Sequence, residues 1–466
     1  MKRVVMKFGG TSVGSGEHIR QVAGIVSNHL GKSYQLVVVI SALKGVTDDL
    51  VEASEEARSG NGDAVRKLLQ KITEEHVTAA RNAIENRSIL EEIEQTLRTA
   101  FDELEKVLTG IIYLGELTPK SKDYVLSFGE RMSTLIVWGT LRDLGLDVQY
   151  FTGKDAGIVT DSNFGEARPL LKVTEHQVKQ NIEPLLDKGI TPVVTGYIAA
   201  TQDGEITTLG RGGSDFTATI MAAALEADEV WVWTDVDGLM TSDPRIVPSA
   251  KVIPKLSFHE AIEMAIFGAK AMHPRALEPA MEREIPVRIR NTFNLQNRGT
   301  LILKGQKIKS TNIVKGITLI RKCALISLSG AGMIGTPGTA AKVFGVLGRN
   351  NINVLMISQS ASEANISFIL QREVLEKAVS SLELTLLGSG LIREVSTEDD
   401  VCVVAVVGAG MKGTPGVAAR MFGAVARRGV NIRMIAQGSS ELNISFAVKE
   451  TDGEKVIRAI HEEFEL

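Results

Sequence analysis

The amino-acid sequence predicts an α/β protein: a three-layer domain built on a mostly parallel sheet, followed by two copies of a smaller βαββαβ module. Three observations support this prediction. Apolar strands alternate with amphipathic helices over residues 1–305, a charged helical segment interrupts them at about 48–115, and the last part of the chain repeats itself. With 466 residues, the chain is also longer than one hydrophobic core normally serves.

The composition argues against several classes of partner. The chain is 44% apolar and 23% charged, and its formal net charge of -4 comes without a cluster of lysine or arginine. Neither nucleic acid nor an anionic membrane is therefore expected as a partner. Two cysteines, Cys323 and Cys402, give no disulfide framework and no metal-ligand spacing. A strand follows the first Met closely and glycines break the longest uncharged run, 323–341, so we expect a cytoplasmic protein.

The first domain opens with a β-turn-α-β unit. The strand "RVVMKF" is followed by a glycine turn, a helix with one apolar face, and the strand "QLVVVISA". The second strand is apolar throughout, which is typical of a parallel sheet covered on both faces. After the helical insertion the alternation resumes from residue 123, and strands are predicted in "GITPVVTGYIA", "DEVWVWTD" and "IPVRIRNT".

The repeat begins with "GAGM" at Gly330 and again at Gly408, and about 23 of 41 aligned positions are identical. Each copy shows a strand, a glycine-rich turn, a helix, two strands joined by a polar turn, and a second helix. This order predicts a ferredoxin-like module, with the first at 306–390 and the second at 391–466. The last segment, "KVIRAIHEEFEL", could return to complete the first module.

Both copies contain G-x-G-x-x-G between a strand and a helix, which would by itself suggest a dinucleotide-binding dehydrogenase. Three features argue against that interpretation. Each copy is too short for a dinucleotide fold, and the acidic residue expected after the second strand is missing. Thr-Pro-Gly follows directly at 336–338 and 414–416, where threonine as cap and proline at the first helical position would explain the turn.

Lys7 stands before a glycine pair, whereas the lysine of the common phosphate loop follows its glycines. On a strand that ends at Phe8, the lysine is expected at the carboxyl edge of the sheet, where open α/β sheets bind ligands. Gly9 and Gly10 would allow a phosphate close to the backbone, next to a helix N-terminus. The alternative interpretation is a tight turn with an exposed lysine.

Several other stretches combine glycine turns with charged residues. "TTLGRGGSDFTA" holds Arg211, whose planar guanidinium suits a carboxylate. "WVWTDVDGLMTSDPR" ends a strand in Thr234, and "SFGERMS" places Glu130 in a helix, where dipole compensation is the plain alternative. "SFHEAIEMAIFGAKAMHP" begins with a capping box that includes Glu260.

Taken together, the motifs "KFGGTSV", "VLSFGERMS", "TLGRGGSD", "WTDVDG", "FGAKAMHP" and the doubled "GAGM…NIS" resemble the aspartate kinase family over essentially the whole chain. The resemblance implies an amino-acid kinase domain with two ACT regulatory modules. It implies phosphorylation of the side-chain carboxylate of L-aspartate by Mg-ATP. The product, 4-phospho-L-aspartate, belongs to the first step towards lysine, threonine, methionine and isoleucine.

The resemblance also implies roles for individual residues. Lys7, with Gly9 and Gly10, would hold the ATP phosphates, Glu130 the α-ammonium of the substrate, and Arg211 its α-carboxylate. Ser41 and Thr47 would orient the side-chain carboxylate, and Ser214 and Asp215 would support the site, the latter near Mg²⁺ carried by the nucleotide. The implied nucleotide contacts are Thr234, Asp235, Met240, Arg245, Lys270 and Ala271.

Two residues depart from the family pattern. Met240 stands where relatives often have a tyrosine beside the nucleotide, so a softer thioether contact is implied there. Asp48 replaces a common asparagine, and its negative charge would weaken the binding of an anionic substrate unless the side chain faces outwards.

By the same resemblance, the ACT modules would bind an amino-acid effector, lysine or threonine, between copies and assemble a homodimer or homotetramer. The implied contacts in the two polar turns are Gln359, Ser362, Glu363, Asn365, Gln437, Ser440, Glu441 and Asn443. A purely structural interface is the alternative for these turns.

Two alternative functions stay open on the sequence. One is another amino-acid kinase of the same fold, acting on glutamate or an N-acetylated amino acid. The other is an amino-acid sensor with a degenerate kinase half, against which the presence of Lys7, Arg211 and Lys270 argues.

Overall fold

The computed structural model describes residues 1–32, 34–268, 272–305, 313–360, 364–387 and 390–466. The chain divides into two compact units. The first comprises Met1–Leu239, Pro254–Phe258 and Ala271–Ile308, and the second comprises Met240–Ile253, His259–Lys270 and Lys309–Leu466. Two short segments of the predicted first domain therefore belong to the second unit.

The secondary structure of residues 1–305 alternates strands and helices. In chain order the elements are β1 (Lys2–Phe8), α1 (Gly16–Leu30), β2 (Tyr34–Ile40), α2 (Val46–Arg58), α3 (Gly62–Ala83), α4 (Arg87–Leu114), α5 (Pro119–Asp143), β3 (Val148–Phe151), α6 (Gly153–Ala156), β4 (Val159–Thr160), α7 (Leu171–Asp187), β5 (Thr191–Thr195), β6 (Ile198–Thr201), β7 (Ile206–Thr208), α8 (Gly213–Ala224), β8 (Glu229–Thr234), β9 (Lys255–Ser257), α9 (Phe258–Ile266), α10 (Glu278–Glu282), β10 (Val287–Asn291) and β11 (Thr300–Leu303).

The main sheet of the first unit has eight strands in the order β3-β5-β2-β1-β8-β10-β11-β9. All its pairings are parallel except that between β10 and β11. Phe8 of β1 lies opposite Ile40 of β2 and Trp233 of β8, so the carboxyl ends of these strands meet at one edge. Residues at that edge are therefore the first candidates for a ligand site.

Residues between β2 and β3 are entirely helical apart from short turns. Polar caps define where the helices begin: the side chain of Asn61 accepts a hydrogen bond from the Ala64 amide, and Asn86 accepts from Ser88 and Ile89. The apolar faces of these helices share one core with β1 and β2. The helices α2, α3 and α4 are thus part of the first unit, and they pack against α5.

The second unit is built on a six-stranded antiparallel sheet in the order β13-β14-β12-β15-β17-β16. Its further elements are β12 (Gly316–Ser329), α11 (Thr339–Arg349), β13 (Met356–Gln359), β14 (Asn365–Gln371), α12 (Leu375–Leu386), β15 (Glu394–Val407), α13 (Val417–Arg427), β16 (Met434–Ala436), β17 (Asn443–Lys449) and α14 (Gly453–Glu463). The predicted fold class, an α/β domain plus two βαββαβ modules, is confirmed.

The two modules share their long central strands. β12 and β15 pair along their whole length with a register shift between Ile320 and Cys323, which divides each strand into two halves. The second half of β12 pairs with β14, and the second half of β15 pairs with β17. The first half of β12 thus completes the second module. The last helix, α14, packs in the core of the second module beside α13, and does not return to the first.

The glycine-rich turns of the two modules are explained by close backbone packing. A Cβ atom on Gly332 would lie 2.4 Å from the carbonyl oxygen of Gly390, and one on Gly408 would lie 2.3 Å from that of Ile313. The predicted threonine cap is wrong, because α11 begins after Gly338 and α13 after Gly416, both in the left-handed region. These glycines therefore serve the turn, and the dehydrogenase interpretation loses its main support.

Hydrogen bonds explain why residues 240–253 join the second unit. The amide of Ile317 in β12 donates to the Thr241 carbonyl at 2.8 Å, and the Thr241 hydroxyl lies 3.0 Å from Nε2 of His461 in α14. In the part of the chain that the structure describes, no helix is long and apolar enough to span a bilayer.

Candidate active site

Lys7 lies at the carboxyl end of β1, where the ligand site was predicted. Its Nζ atom is 2.6 Å from Oδ1 of Asp215 in the first turn of α8, and the two side chains are only 11% and 10% exposed. The contact is an ion pair whose angles fall outside hydrogen-bond geometry. Asp215 therefore holds the lysine at the sheet edge without saturating its three donors.

The glycine pair after Lys7 allows two loops to approach each other. A Cβ atom on Gly10 would lie 2.9 Å from the carbonyl oxygen of Ala42. The Gly9 amide donates to the Trp233 carbonyl at 3.1 Å and is not available for a phosphate, which corrects the predicted role of that amide. Gly10 begins a short 3₁₀ helix, where the first amides have no intrahelical acceptor.

Glu130 is buried in the middle of α5, with 4% of its surface exposed. Burial raises the pKa of Glu130 to about 8, although the amide of Ala42 donates to the carboxylate and the charge of Lys7 also favours ionisation. Its Oε2 atom has no hydrogen-bond partner among the described residues. A buried carboxyl group with one free oxygen is suited to receive a cationic ligand.

The segment after β2 carries Ser41 and Thr47, and the amide of Ala42, which directly follows Ser41, donates to the Glu130 carboxylate. The Ser41 amide donates to the Phe8 carbonyl at 3.2 Å, and the Ser133 hydroxyl donates to the Ser41 carbonyl at 2.7 Å. Thr47 lies in the first turn of α2 and is partly exposed. Asp48 is exposed to solvent, so its extra negative charge faces outwards as the substrate would require.

Arg211 lies in the turn between β7 and α8. The turn depends on glycine, because Gly212 has a φ of +74° and a Cβ atom there would lie 2.4 Å from Cβ of His273. The Arg211 side chain is exposed and forms no ion pair with any residue in the described ranges. Ser214, at the start of α8, is buried against Gly196.

Two buried residues beside this turn were not predicted from the sequence. Asp123 on α5 is fully buried and accepts hydrogen bonds from Gly165 and Thr208. Tyr197 has a positive φ of 65°, and burial raises the pKa of its hydroxyl to about 12. Asp123 could have been found by its helical spacing, because it precedes Glu130 by about two turns on α5.

The predicted nucleotide contacts are divided between the two units. Thr234 ends β8, and its hydroxyl donates to the carboxylate of Asp235 at 3.2 Å. Met240 and Arg245 belong to the second unit, where Met240 pairs with Val252 and Arg245 forms an exposed ion pair with Asp243. Lys270 and Ala271 lie outside the described residues.

No group of three or more histidine, cysteine, aspartate or glutamate side chains in the described ranges is arranged to hold a metal ion. At the sheet edge, the Lys7 ammonium instead suits the negative charge of a phosphate, and Asp215 is a carboxylate close to it.

The polar turns of the two modules differ in their contacts. Gln359 and Asn365 of the first module are exposed, and Ser362 and Glu363 lie outside the described residues. In the second module Gln437 and Ser440 are exposed, whereas Glu441 accepts from the Gly413 amide at 2.8 Å. Asn443 donates to Glu263 of α9, which belongs to the same unit.

Comparison with known proteins agrees with these features. The model of the amino acid kinase family matches residues 2–291, and an ACT domain model matches 326–386 and 404–464. An aspartate kinase of Pseudomonas putida is 34% identical over 470 residues, which cover 100% of this chain and 98% of that protein. The chain belongs to the aspartate kinase family.

Solved structures of the aspartate kinase family share the whole architecture. Escherichia coli aspartokinase III in complex with aspartate and ADP is 32% identical, with a TM-score of 0.83 and 99% of both chains covered. The same enzyme in complex with lysine and aspartate is 31% identical, with a TM-score of 0.81 and 100% of both chains covered. A bifunctional aspartokinase/homoserine dehydrogenase of Arabidopsis thaliana is 35% identical, and the chain spans about half the length of that relative.

Proposed function

We propose that the protein phosphorylates the side-chain carboxylate of L-aspartate with Mg-ATP to give 4-phospho-L-aspartate and ADP. The observation that supports this most strongly is a pair of ionisable groups without partners at the sheet edge. Glu130 is buried with a free oxygen, and Arg211 is a cation without a partner in the described ranges. An amino acid with a free α-ammonium and α-carboxylate would satisfy both.

The chemistry of this reaction requires no general base. The substrate carboxylate, with an ordinary pKa of about 4, is already ionised at neutral pH. One of its oxygens attacks the γ-phosphorus while the bond to the bridging oxygen of ADP breaks, so no proton moves. Lys7 would stabilise the negative charge on the transferring oxygens, and Asp215 would keep the lysine in place.

The nucleotide site is proposed to include Lys7, Gly10, Thr234 and Asp235 of the first unit. When bound, Mg²⁺ would arrive with the nucleotide and neutralise part of its phosphate charge. The exposed position of Asp235 at the end of β8 is compatible with a ribose or phosphate contact. The structure of Escherichia coli aspartokinase III in complex with ADP supports the binding of an adenine nucleotide.

We also propose that the ACT modules bind an amino-acid effector, lysine or threonine, in a cytoplasmic homodimer or homotetramer. The similar structure of Escherichia coli aspartokinase III in complex with lysine supports an effector of this kind. The first module is the better candidate because Gln359 and Asn365 are exposed, whereas Glu441 and Asn443 in the second module already form hydrogen bonds.

Hydroxylamine trapping of the acyl phosphate tests the proposed reaction. Mixtures with Mg-ATP and L-aspartate, L-glutamate or N-acetyl-L-glutamate are compared at equal concentration. We expect a hydroxamate with L-aspartate alone, because a full-length relative is an aspartate kinase and N-acetyl-L-glutamate lacks the free ammonium that Glu130 is proposed to bind. Hydroxamate with glutamate or the acetylated substrate but none with aspartate would favour the alternative amino-acid kinase. No hydroxamate with any of them would favour a sensor.

A further inference from the structure

Asp123 is a fully buried carboxylate that accepts three hydrogen bonds from two loops of the first unit. The Gly165 amide donates at 2.9 Å, the Thr208 amide at 3.0 Å and the Thr208 hydroxyl at 2.7 Å. None of these donors belongs to α5, the helix that carries Asp123. The carboxylate therefore connects α5 to two segments that are distant in sequence.

Both segments support the turn that carries Arg211. Thr208 is the last residue of β7, three positions before Arg211. Gly165 lies under the same turn, because a Cβ atom on Gly210 would lie 3.5 Å from the Gly165 carbonyl oxygen. Asp123 thus holds the start of the turn directly, through Thr208. It also holds Gly165, the residue that packs against Gly210 of the turn.

The helix on the other side of this connection carries Glu130. Asp123 and Glu130 are separated by about two helical turns, so they lie along one face of α5. Because α5 is one continuous helix, holding Asp123 in place also holds Glu130 in place. Asp123 therefore connects the helix that carries Glu130 with the strand that leads to Arg211.

Asp123, Gly165 and Tyr197 border a cavity of about 420 Å³, and Tyr197 also packs closely against Gly213 of the turn. Burial raises the pKa of Asp123, and the hydrogen bonds from Thr208 and Gly165 oppose that shift by favouring the ionised form. The charged carboxylate is therefore the acceptor that three inward-facing donors require.

We infer that Asp123 is a positioning residue that sets the spacing between Glu130 and Arg211, and thereby the affinity for the amino-acid substrate, without contacting it. This inference rests on the proposed function. Asparagine at this position could keep an oxygen for the two backbone amides, but its NH₂ group would then face the Thr208 hydroxyl, which loses its acceptor.

The test is Asp123→Asn, with Asp143→Asn as the matched control. Asp143 lies on the same helix and accepts hydrogen bonds from the amides of Glu85 and Asn86 at 2.7 and 3.2 Å. We expect Asp123→Asn to raise the KM for aspartate about tenfold, with kcat and the KM for ATP changed less than about twofold. Asp143→Asn should leave all three constants at their wild-type values, even if its Tm falls.

An unchanged aspartate KM in folded Asp123→Asn would overturn the inference, as would an equal loss in kcat and in both KM values. If Asp123→Asn does not fold, Thr208→Val decides the question, because it removes one donor to Asp123 and keeps the side-chain shape. We expect Thr208→Val to raise the aspartate KM about threefold in the same selective way, and an unchanged KM would overturn the inference. A wild-type protein without aspartate kinase activity would contradict the proposed function instead.

Discussion

Two buried lysine–carboxylate pairs, one in each unit, have very different surroundings. In the second unit Lys315 Nζ lies 3.0 Å from Oε2 of Glu260, and Oε1 of the same carboxylate accepts from the Ala409 amide at 2.8 Å. In the first unit Lys7 contacts Asp215 without hydrogen-bond geometry, and the nearby Glu130 keeps an unpartnered oxygen. The comparison indicates that a pair whose polar atoms all have hydrogen-bond partners stabilises the fold. A pair that leaves polar atoms without partners is suited to bind a ligand.

Replacing the lysine of the first pair should have the largest effect on activity. We expect Lys7→Met to lower kcat by about three orders of magnitude, because one preorganised cation at the transferring phosphate is lost. Its Tm should fall only slightly, since the Asp215 carboxylate lies at a site built to admit ligands. Steady-state kinetics beside thermal unfolding checks both expectations. Wild-type turnover in this variant would remove Lys7 from the mechanism.

The same substitution in the second pair should give the opposite pattern. Lys315→Met leaves Glu260, which is fully buried, without its cation, and we expect a loss of about 3 kcal/mol of stability. The kcat of the enzyme that remains folded should stay close to the wild-type value at a temperature well below its Tm. If Lys315→Met were as stable as the wild type, the distinction between the two pairs would fail.

Arg211→Lys sharpens the comparison at the unpaired cation of the first unit. A point charge replaces a planar fork, so the KM for aspartate should rise about tenfold while kcat changes little. Arg66→Lys is the control, because Arg66 forms an exposed ion pair with Asp63 on α3, away from the proposed site. An unchanged KM in Arg211→Lys would place the carboxylate contact elsewhere.

Glu130→Gln should change the stability of the ligand-free protein by a small amount that depends on pH. The folded-state pKa of Glu130, about 8, lies above its ordinary value of 4.5, so the folded protein binds this proton more tightly than the unfolded chain. The wild type therefore loses stability as the pH rises from about 4.5 to 8, and neutral glutamine removes that loss. Ligand-free Glu130→Gln should exceed the wild type in Tm by a few degrees at pH 8 but not at pH 5. Equal Tm differences at both pH values would contradict the raised pKa.

Short sequence patterns were sufficient to predict the positions of residues at strand ends and in turns. Lys7 before two glycines and Arg211 between three glycines could be predicted, because strand ends and glycine turns are properties of short segments. The fold class followed from the alternation of strands and helices, and the paired modules followed from the repeat. These predictions depend on spacing within about 20 residues.

Contacts between distant segments could not be predicted in the same way. Glu260 was placed in a helix cap, but its carboxylate also pairs with Lys315 and with Ala409, which are far along the chain. The Gly9 amide was assigned to phosphate, yet it donates to a carbonyl of β8. Sequence spacing does not reveal such partners, and the hydrogen-bond donors to Asp123, Gly165 and Thr208, are likewise distant from it in the sequence.

Calorimetry of substrate binding tests most directly whether the unpartnered carboxyl group of Glu130 defines the site. L-Aspartate is titrated at pH 7, with a non-hydrolysable ATP analogue present, in buffers of different ionisation enthalpy. Because the pKa of Glu130 is about 8, the group is mostly protonated before binding and must ionise to pair with an ammonium. We expect release of about one proton per aspartate bound, and none in Glu130→Gln. Binding without proton release in the wild type would contradict the account.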